Sequence, residues 1–162
     1  MNKESQENMF DYLDKKGISY FIGVPDSTMK FFISRGISKK KIIISTREEE
    51  AIGIASGVSF SNKKVLVFMQ NAGFANSLST ITSLVQLYQI PVLFLIGWRG
   101  YLKNDAPEHI KIGKIQSKLL KLLNLNTRIT KDENWEDCCT WALNQIKKNK
   151  SCGLIIRRMH ND

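Results

Sequence analysis

Three short stretches of the chain carry the side chains best suited to chemistry. The first, STREEEAIGIASG at 45–57, begins with three glutamates and then becomes small and apolar. The second is QNAGFAN at 70–76, and the third is LIGWRG at 95–100. Carboxylates exchange protons, the backbone amides of a helix that opens near a glycine can contact an anion or a flat heterocycle, and an arginine binds oxyanions through paired N–H groups. Together the three stretches indicate an active-site edge.

The glutamates also have a purely structural interpretation. Thr46 with Glu49, or Ser45 with Glu48, can form a capping box, and acidic residues at a helix start complement the helix dipole. The segment alone therefore leaves both a capping role and a catalytic role open for Glu48.

Further candidates lie in neighbouring loops. Asp26 and Ser27 follow Pro25 behind a short apolar strand and can cap the next helix. His109 lies in a predicted loop, where it is either an acid-base group at the same edge or an ordinary surface histidine. Arg99 could bind a phosphonate, sulfonate or carboxylate, or it could brace its loop or a subunit contact.

Apolar periodicity predicts the elements that would position these residues. Strands are predicted at 20–24, 41–45, 64–70, 91–97, 127–130 and 152–157, and helices at 5–16, 28–36, 47–60, 73–88, 110–123 and 135–148. The predicted strands at 64–70 and 91–97 contain continuously apolar runs at 65–69 and 92–96, which is typical of a parallel sheet with helices on both faces. We therefore expect a doubly wound α/β fold, in which ligands bind beyond the carboxyl ends of the strands. The stretches described above all fall at such ends.

The composition is that of a globular domain. The 162 residues are 43% apolar and 24% charged, and no linker or repeat divides them, so we expect a single domain over residues 1–162. The amino terminus has no hydrophobic signal core and no apolar run is long enough to span a bilayer, so a cytoplasmic protein is expected, without a membrane partner. Cys138, Cys139 and Cys152 lack the spacing of a zinc site or a disulfide framework and are interpreted as small buried residues.

The net charge of +9 raises the question of nucleic-acid binding. The basic clusters, such as Lys39–Lys41, fall at predicted helix ends and termini and lack interleaved aromatic residues. We therefore expect no nucleic-acid partner, and interpret the charge as a solvated surface that attracts anionic metabolites or an acidic protein. No GxGxxG or GxxxxGK[ST] motif is present, which argues against a dinucleotide fingerprint and a P-loop.

The order of the motifs resembles a known family. GVPDS at 23–27, REEE at 47–50 with Gly57 nine residues after Glu48, MQNAGFANSL at 69–78 and IPVLFLIGWRG at 90–100 closely resemble the pyrimidine-binding domain of thiamine diphosphate enzymes. Among these enzymes, the chain looks most like the phosphonopyruvate and sulfopyruvate decarboxylases. The resemblance covers roughly residues 5–157.

This resemblance implies roles for individual residues. Glu48 matches the family's glutamate that hydrogen-bonds N1′ of the cofactor pyrimidine, which implies that Glu48 is catalytic. The implied cofactor-binding residues, besides Glu48, are Pro25, Asn71, Gly73, Phe74 and Asn76. The candidates for the substrate side are Asp26, Ser27, Arg99 and His109.

The resemblance also implies a partner chain. The family's diphosphate-binding domain carries a Gly-Asp-Gly sequence and a later asparagine that hold a divalent ion, and these 162 residues contain no counterpart. We therefore expect a separate diphosphate-binding beta subunit that holds Mg²⁺ and shares thiamine diphosphate with this chain. The implied assembly is α2β2 or larger.

Two substrates remain open for such an enzyme. The segments 97–100 and 107–109 look more like phosphonopyruvate decarboxylase, which favours conversion of 3-phosphonopyruvate to phosphonoacetaldehyde and CO2. The segments 46–50 and 100–103 look more like the sulfopyruvate decarboxylase alpha subunit, which favours sulfopyruvate and sulfoacetaldehyde. Phosphonopyruvate is the preferred prediction. A noncatalytic ligand-binding or regulatory domain of the same fold is the alternative from another class, and the presence of Glu48 argues against it.

Overall fold

A computed structural model describes residues 1–102 and 105–157 of the chain. Within these ranges, six strands form one sheet with the order β2-β1-β3-β4-β6-β5, and every neighbouring pair is parallel. The strands are β1 (Ile18–Gly23), β2 (Ile42–Ile44), β3 (Lys64–Gln70), β4 (Val92–Trp98), β5 (Thr127–Thr130) and β6 (Cys152–Arg157).

Helices cover both faces of this sheet. Leu66 and Phe68 of β3 pack in one core cluster, and Val65 and Val67 pack in a second cluster on the opposite face. The first cluster is completed by α1 (Lys3–Lys15), α2 (Lys30–Ser38) and α7 (Trp135–Lys147); the second by α3 (Glu48–Phe60), α4 (Asn71–Asn76) with α5 (Leu78–Thr80), and α6 (Pro107–Leu122). The prediction of a doubly wound α/β fold is confirmed.

The helix predicted at 73–88 is irregular. It begins at Asn71, and after α5 it widens into a π-helical turn at Ile81–Gln86. There Leu87 N donates to Thr82 O, five residues back, and Thr82 Oγ1 donates to the carbonyl of Leu78. Hydroxyl groups that compete for backbone carbonyls favour such departures from regular α-helix, which a pattern of apolar residues does not reveal.

Helix α6 begins earlier than predicted. Pro107 occupies its first turn, a position where the missing N–H of proline is not needed. His109, predicted to lie in a loop, therefore lies in the first turn of this helix. Although α6 has 16 residues, no helix within the described part of the chain is long and apolar enough to cross a membrane.

The sheet topology creates a crevice between β1 and β3. The chain leaves β1 through α2 toward β2 on one side, and leaves β3 through α4 and α5 toward β4 on the other side. Ligands of open α/β sheets bind at such a reversal, outside the carboxyl ends of the strands. Asp26 follows β1 and Asn71 follows β3, so both candidates lie at this reversal.

An ion pair between α1 and α2 predicts how stability responds to acid. Arg35 binds Asp11 through Nη2 and Oδ2 at 2.7 Å, and this hydrogen bond lowers the pKa of Asp11 to about 2. A carboxyl whose pKa is lowered by folding stabilises the protein above its unfolded pKa of about 3.9, and that contribution is lost as pH falls toward 2. We expect Asp11→Asn to flatten the decline of melting temperature between about pH 4 and 2. An unchanged slope would contradict the assignment, and Asp137→Asn, an exposed carboxyl on α7, is the control.

Candidate active site

Glu48 is the first residue of α3, and it does not cap its own helix. Instead, Thr46 donates to Oε2 of Glu50 from both its N–H, at 2.8 Å, and its hydroxyl, at 2.7 Å. The capping boxes predicted for Thr46 with Glu49 and for Ser45 with Glu48 are therefore wrong, because the third glutamate supplies the acceptor. Among the described residues, none forms a hydrogen bond or ion pair with the Glu48 carboxylate.

The Glu48 carboxyl group lies directly over Gly73. A Cβ atom placed on Gly73 would come within 2.1 Å of Oε1 and 2.3 Å of the carboxyl carbon of Glu48. Gly73 itself is buried in α4, whereas Glu48 is half-buried. The glycine thus leaves room for an acidic side chain at the carboxyl edge of the sheet, where no residue in 1–102 or 105–157 hydrogen-bonds that carboxylate.

This contact predicts the effect of Gly73→Ala. The added methyl group would displace the end of the Glu48 side chain, because a distance near 2 Å is far below van der Waals contact. Alanine also favours a helix over glycine by about 1 kcal/mol, so we expect a folded variant with a misplaced carboxylate. The resemblance implies that Glu48 is catalytic, so the expected result is a loss of catalytic rate of roughly 10²-fold, since misplacement by about 1 Å has effects of this size.

The control for this prediction is Gly53→Ala on α3. A Cβ on Gly53 meets no atom within 4 Å, so its circular dichroism and melting curve show what the glycine-to-alanine change does without the clash. Full activity of a folded Gly73→Ala variant would show that the position of the Glu48 carboxylate does not matter.

Asp26 ties the end of β1 to the ends of β3 and β4. Its side chain is buried and accepts hydrogen bonds from both the N–H, at 2.8 Å, and the hydroxyl of Thr28. Gln70, the last residue of β3, donates to the other carboxylate oxygen at 3.1 Å. Gly97 of β4 lies beneath, because a Cβ there would meet Oδ1 of Asp26 at 2.4 Å. The predicted capping role of Asp26 is confirmed for the short 3₁₀ turn Ser27–Met29.

Asn71 links β3 to the loop that follows β4. Its side-chain amide donates to the carbonyl of Arg99 at 2.9 Å and accepts from the N–H of Arg99 at 3.2 Å. The residue is fully buried. Both ends of the amide are thus engaged within the chain, and this pairing fixes the backbone of Arg99.

Arg99 is held by a buried carboxylate. Its Nη2 lies 2.7 Å from Oδ1 of Asp105 and its Nε 3.0 Å from Oδ2, while Gly100 N and Ala106 N donate to the same carboxylate. The Asp105 side chain has no exposed surface, and its hydrogen bonds with Arg99 hold the pKa of Asp105 well below its usual range. Arg99 was predicted either to bind an oxyanion or to brace its loop or a subunit contact. The hydrogen bonds to Asp105 show that Arg99 braces its loop. Its Nη1 also reaches Ser27 Oγ at 3.2 Å.

The remaining predicted residues lie around this network in different environments. The side chain of Phe74 is fully buried and packs edge-on against Phe94, with ring centroids 6.3 Å apart, so only its backbone could contact a ligand. Asn76 and Pro25 are exposed. His109 is half-buried one helical turn into α6.

Sequence reasoning missed three residues of the network: Thr28, Gln70 and Asp105. Gln70 bonds Asp26 across 44 residues, whereas Thr28 bonds Asp26 two residues away and Asp105 bonds Arg99 six residues away, so only the Gln70 contact is distant in sequence. One signal was available for Asp105, because Pro107 marks a helix start and an acidic residue just before it can accept the free N–H groups there.

The chain was compared with known proteins. Residues 4–119 match the family model described as the thiamine pyrophosphate enzyme, N-terminal TPP binding domain, where TPP is thiamine diphosphate. This chain belongs to the thiamine pyrophosphate enzyme family. The predicted family resemblance is confirmed, and the match supports thiamine diphosphate as the cofactor of this fold.

The curated relatives of this thiamine pyrophosphate enzyme domain are decarboxylases, that is, carboxy-lyases. The sulfopyruvate decarboxylase subunit alpha of Methanocaldococcus jannaschii is 36% identical over 121 residues, covering 74% of this chain and 72% of that protein. The phosphonopyruvate decarboxylase of Streptomyces viridochromogenes is 30% identical over 119 residues, covering 72% of this chain and 30% of that protein. The chain thus spans most of the first relative and less than a third of the second. The name "subunit alpha" implies a second subunit in the first.

Solved structures show the same fold at low sequence identity. The 2-oxoglutarate:ferredoxin oxidoreductase of Magnetococcus marinus superposes with a TM-score of 0.71 at 13% identity, over 97% of this chain and 29% of that one. A split-gene transketolase, described as an inactive beta4 tetramer, gives a TM-score of 0.68 at 11% identity, over 96% of this chain and 50% of that one. These likenesses concern the fold alone.

Proposed function

We propose that this chain is the alpha subunit of a split thiamine-diphosphate-dependent decarboxylase that acts on a three-carbon 2-oxo acid with a second anionic group. The observation that supports this most is the Glu48 carboxylate over Gly73, which has no hydrogen-bond partner among the described residues. Because the chain belongs to the thiamine pyrophosphate enzyme family, we propose that this carboxylate binds the cofactor ring.

The site residues suit the pyrimidine half of the cofactor. The Glu48 carboxyl group is free to share a proton with a ring nitrogen, and Gly73 leaves the space that this side chain needs. The exposed residues Pro25 and Asn76, together with the backbone of Gly73 and Phe74, are the proposed contacts of the ring. When bound, thiamine diphosphate supplies the electron sink that allows a 2-oxo acid to lose CO2. We propose that a diphosphate-binding beta subunit supplies the rest of the cofactor site and Mg²⁺.

The substrate side is proposed to be the network at the ends of β1 and β4. Asp26 is held by Thr28 and Gln70, so its carboxylate has a fixed position at the crevice. Ser27 is exposed and lies against Arg99. The negative charge of Asp105 balances the positive charge of Arg99. An incoming anion would therefore be attracted by the direction of the Arg99 N–H groups more than by a net positive charge. His109 remains a candidate on the neighbouring helix.

Sulfopyruvate is the first substrate candidate. The chain covers 72–79% of the length of three sulfopyruvate decarboxylase alpha subunits. This similar length supports an enzyme whose two domains lie on separate chains. Phosphonopyruvate, the substrate preferred on the motifs alone, is the second candidate, supported by the Trp98–Arg99 segment and by the lower-identity relatives. The proposed order therefore differs from the one that the motifs alone favoured.

A direct substrate comparison tests this proposal. The chain would be combined with a diphosphate-binding subunit, thiamine diphosphate and Mg²⁺, and kcat/KM for aldehyde release measured with sulfopyruvate and phosphonopyruvate. We expect turnover with a clear preference for sulfopyruvate. A preference for phosphonopyruvate would select the second candidate, and no turnover of either acid by an assembled complex would contradict the substrate class.

A further inference from the structure

A cavity of about 770 Å³ lies at the β5–β6 side of the sheet, and Glu48 is not among its lining residues. It opens between the second half of α6 and strands β5 and β6, and this volume falls within the usual range of small-molecule sites. Its floor is apolar, and its rim is polar and basic. The floor residues are Leu120, Leu125, Ile129 and Ile155; the rim residues include Ser117, Lys121, Asn124, Asn126 and Arg157.

The charge of this cavity is uncompensated. Lys121 and Arg157 line it, and no aspartate or glutamate is among its lining residues. Within the described part of the chain, neither of these two cations forms an ion pair. By contrast, Arg35 and Arg99 each pair with an aspartate. The cavity therefore has a positive potential that favours an anion.

Arg157 is held in place without being neutralised. Its guanidinium carbon lies 4.1 Å from the ring centre of Tyr101 and 4.7 Å from that of Trp98, and Trp98 is itself fixed by a hydrogen bond of 3.0 Å to Gly113 O. The Nε atom of Arg157 is buried and has no acceptor among the described residues. A buried donor without an acceptor is rare, so the Arg157 guanidinium keeps hydrogen-bonding capacity that the described residues do not use.

We propose that this cavity is a binding site for a small oxyanion, a carboxylate or a phosphate, attached to a flat apolar group. The oxyanion would accept hydrogen bonds from Arg157 and Lys121, since the planar guanidinium matches both groups. The apolar group would lie over the floor residues Ile129 and Ile155. This site is separate from the proposed cofactor site, and it stands whether or not the chain is a decarboxylase subunit.

Calorimetric titration of the full chain with phenyl phosphate and with benzoate tests the proposal. We expect at least one probe to bind saturably with a Kd below about 1 mM, and the tighter probe identifies the oxyanion. Phenol, which lacks the charge, is expected to bind at least about tenfold more weakly, because it cannot engage the two cations. The absence of saturable binding, or equal binding of phenol, would overturn the proposal.

Two variants place the probe in this cavity. Arg157→Gln and Lys121→Gln are each expected to weaken binding of the tighter probe by about tenfold, the effect of losing one charge-assisted hydrogen bond. Lys147→Gln, an exposed lysine on α7, is the control and should bind as the unmodified chain does. Lys121 is exposed, so its substitution leaves the fold intact even if removal of Arg157 does not. Binding that Lys121→Gln leaves unchanged would contradict the site.

Discussion

Glu48→Gln is expected to lower kcat of the assembled enzyme by about 10²–10⁴-fold at saturating thiamine diphosphate, the usual contribution of a positioned proton-transfer group. Glutamine keeps the shape of the side chain but cannot take up or release the proton. Because the carboxylate forms no hydrogen bond or ion pair with any described residue, its removal should leave folding and assembly intact. The measurement is aldehyde release under saturating substrate, with assembly checked by size-exclusion chromatography.

The neighbouring glutamate provides a matched control. Glu49 lies next to Glu48 on the same helix turn, is half-exposed, and has only a 3.9 Å contact with Arg47. Glu49→Gln makes the same chemical change, and we expect kcat to stay within roughly twofold, as for a surface substitution. Equal rates for Glu48→Gln and the unmodified enzyme would remove Glu48 from the mechanism, whereas equal losses in both variants would indicate a general electrostatic effect.

Asp105→Ala is expected to be the most destabilising of the substitutions considered. It removes a carboxylate with no exposed surface and leaves the Arg99 guanidinium, whose side chain is only 13% exposed, without its partner. Breaking a buried ion pair in this way costs about 3–5 kcal/mol. Gly100 N also loses its acceptor. For a protein of this size, the melting temperature should fall by roughly 10 °C, since each kcal/mol is worth about 2–4 °C.

An exposed ion pair supplies the comparison. Glu133 pairs with Lys131 at 3.3 Å, and both side chains are more than half exposed, so Glu133→Ala should change stability far less than Asp105→Ala does. Denaturant titration of both variants measures the difference directly. Similar, small changes in the two variants would show that the loop after β4 does not depend on the Asp105 carboxylate.

The sequence predicted the architecture well because the fold depends on patterns that local sequence contains. Continuously apolar runs such as 65–69 and 92–96 indicate strands buried on both faces, and amphipathic helices between them favour the parallel order. The π-helical turn after α5 was not predicted, because it depends on single hydroxyl groups, and α6 was predicted to begin at 110 rather than at Pro107.

The sequence predicted which segments meet at the candidate site better than it predicted the hydrogen bonds between their side chains. Asp26, Asn71 and Arg99 were recognised as candidates. Asn71 hydrogen-bonds Arg99 directly. Asp26 accepts a hydrogen bond from Gln70, the residue before Asn71, and Arg99 donates one to Ser27, the residue after Asp26. Their partners could not be predicted, since Asp105 becomes a brace only when folding buries it beside Arg99. The choice of Glu50 as the acceptor for Thr46 is similar, because three adjacent glutamates look alike until the backbone direction is known.

The most direct test of the central claim, that this chain is one half of a thiamine diphosphate decarboxylase, is an omission experiment. Release of CO2 from a carboxyl-labelled 2-oxo acid would be measured with this chain, its diphosphate-binding subunit, thiamine diphosphate and Mg²⁺, and then with each omitted in turn. We expect release only from the complete mixture. Release that continues without this chain, or none from a mixture shown to have assembled, would contradict the claim.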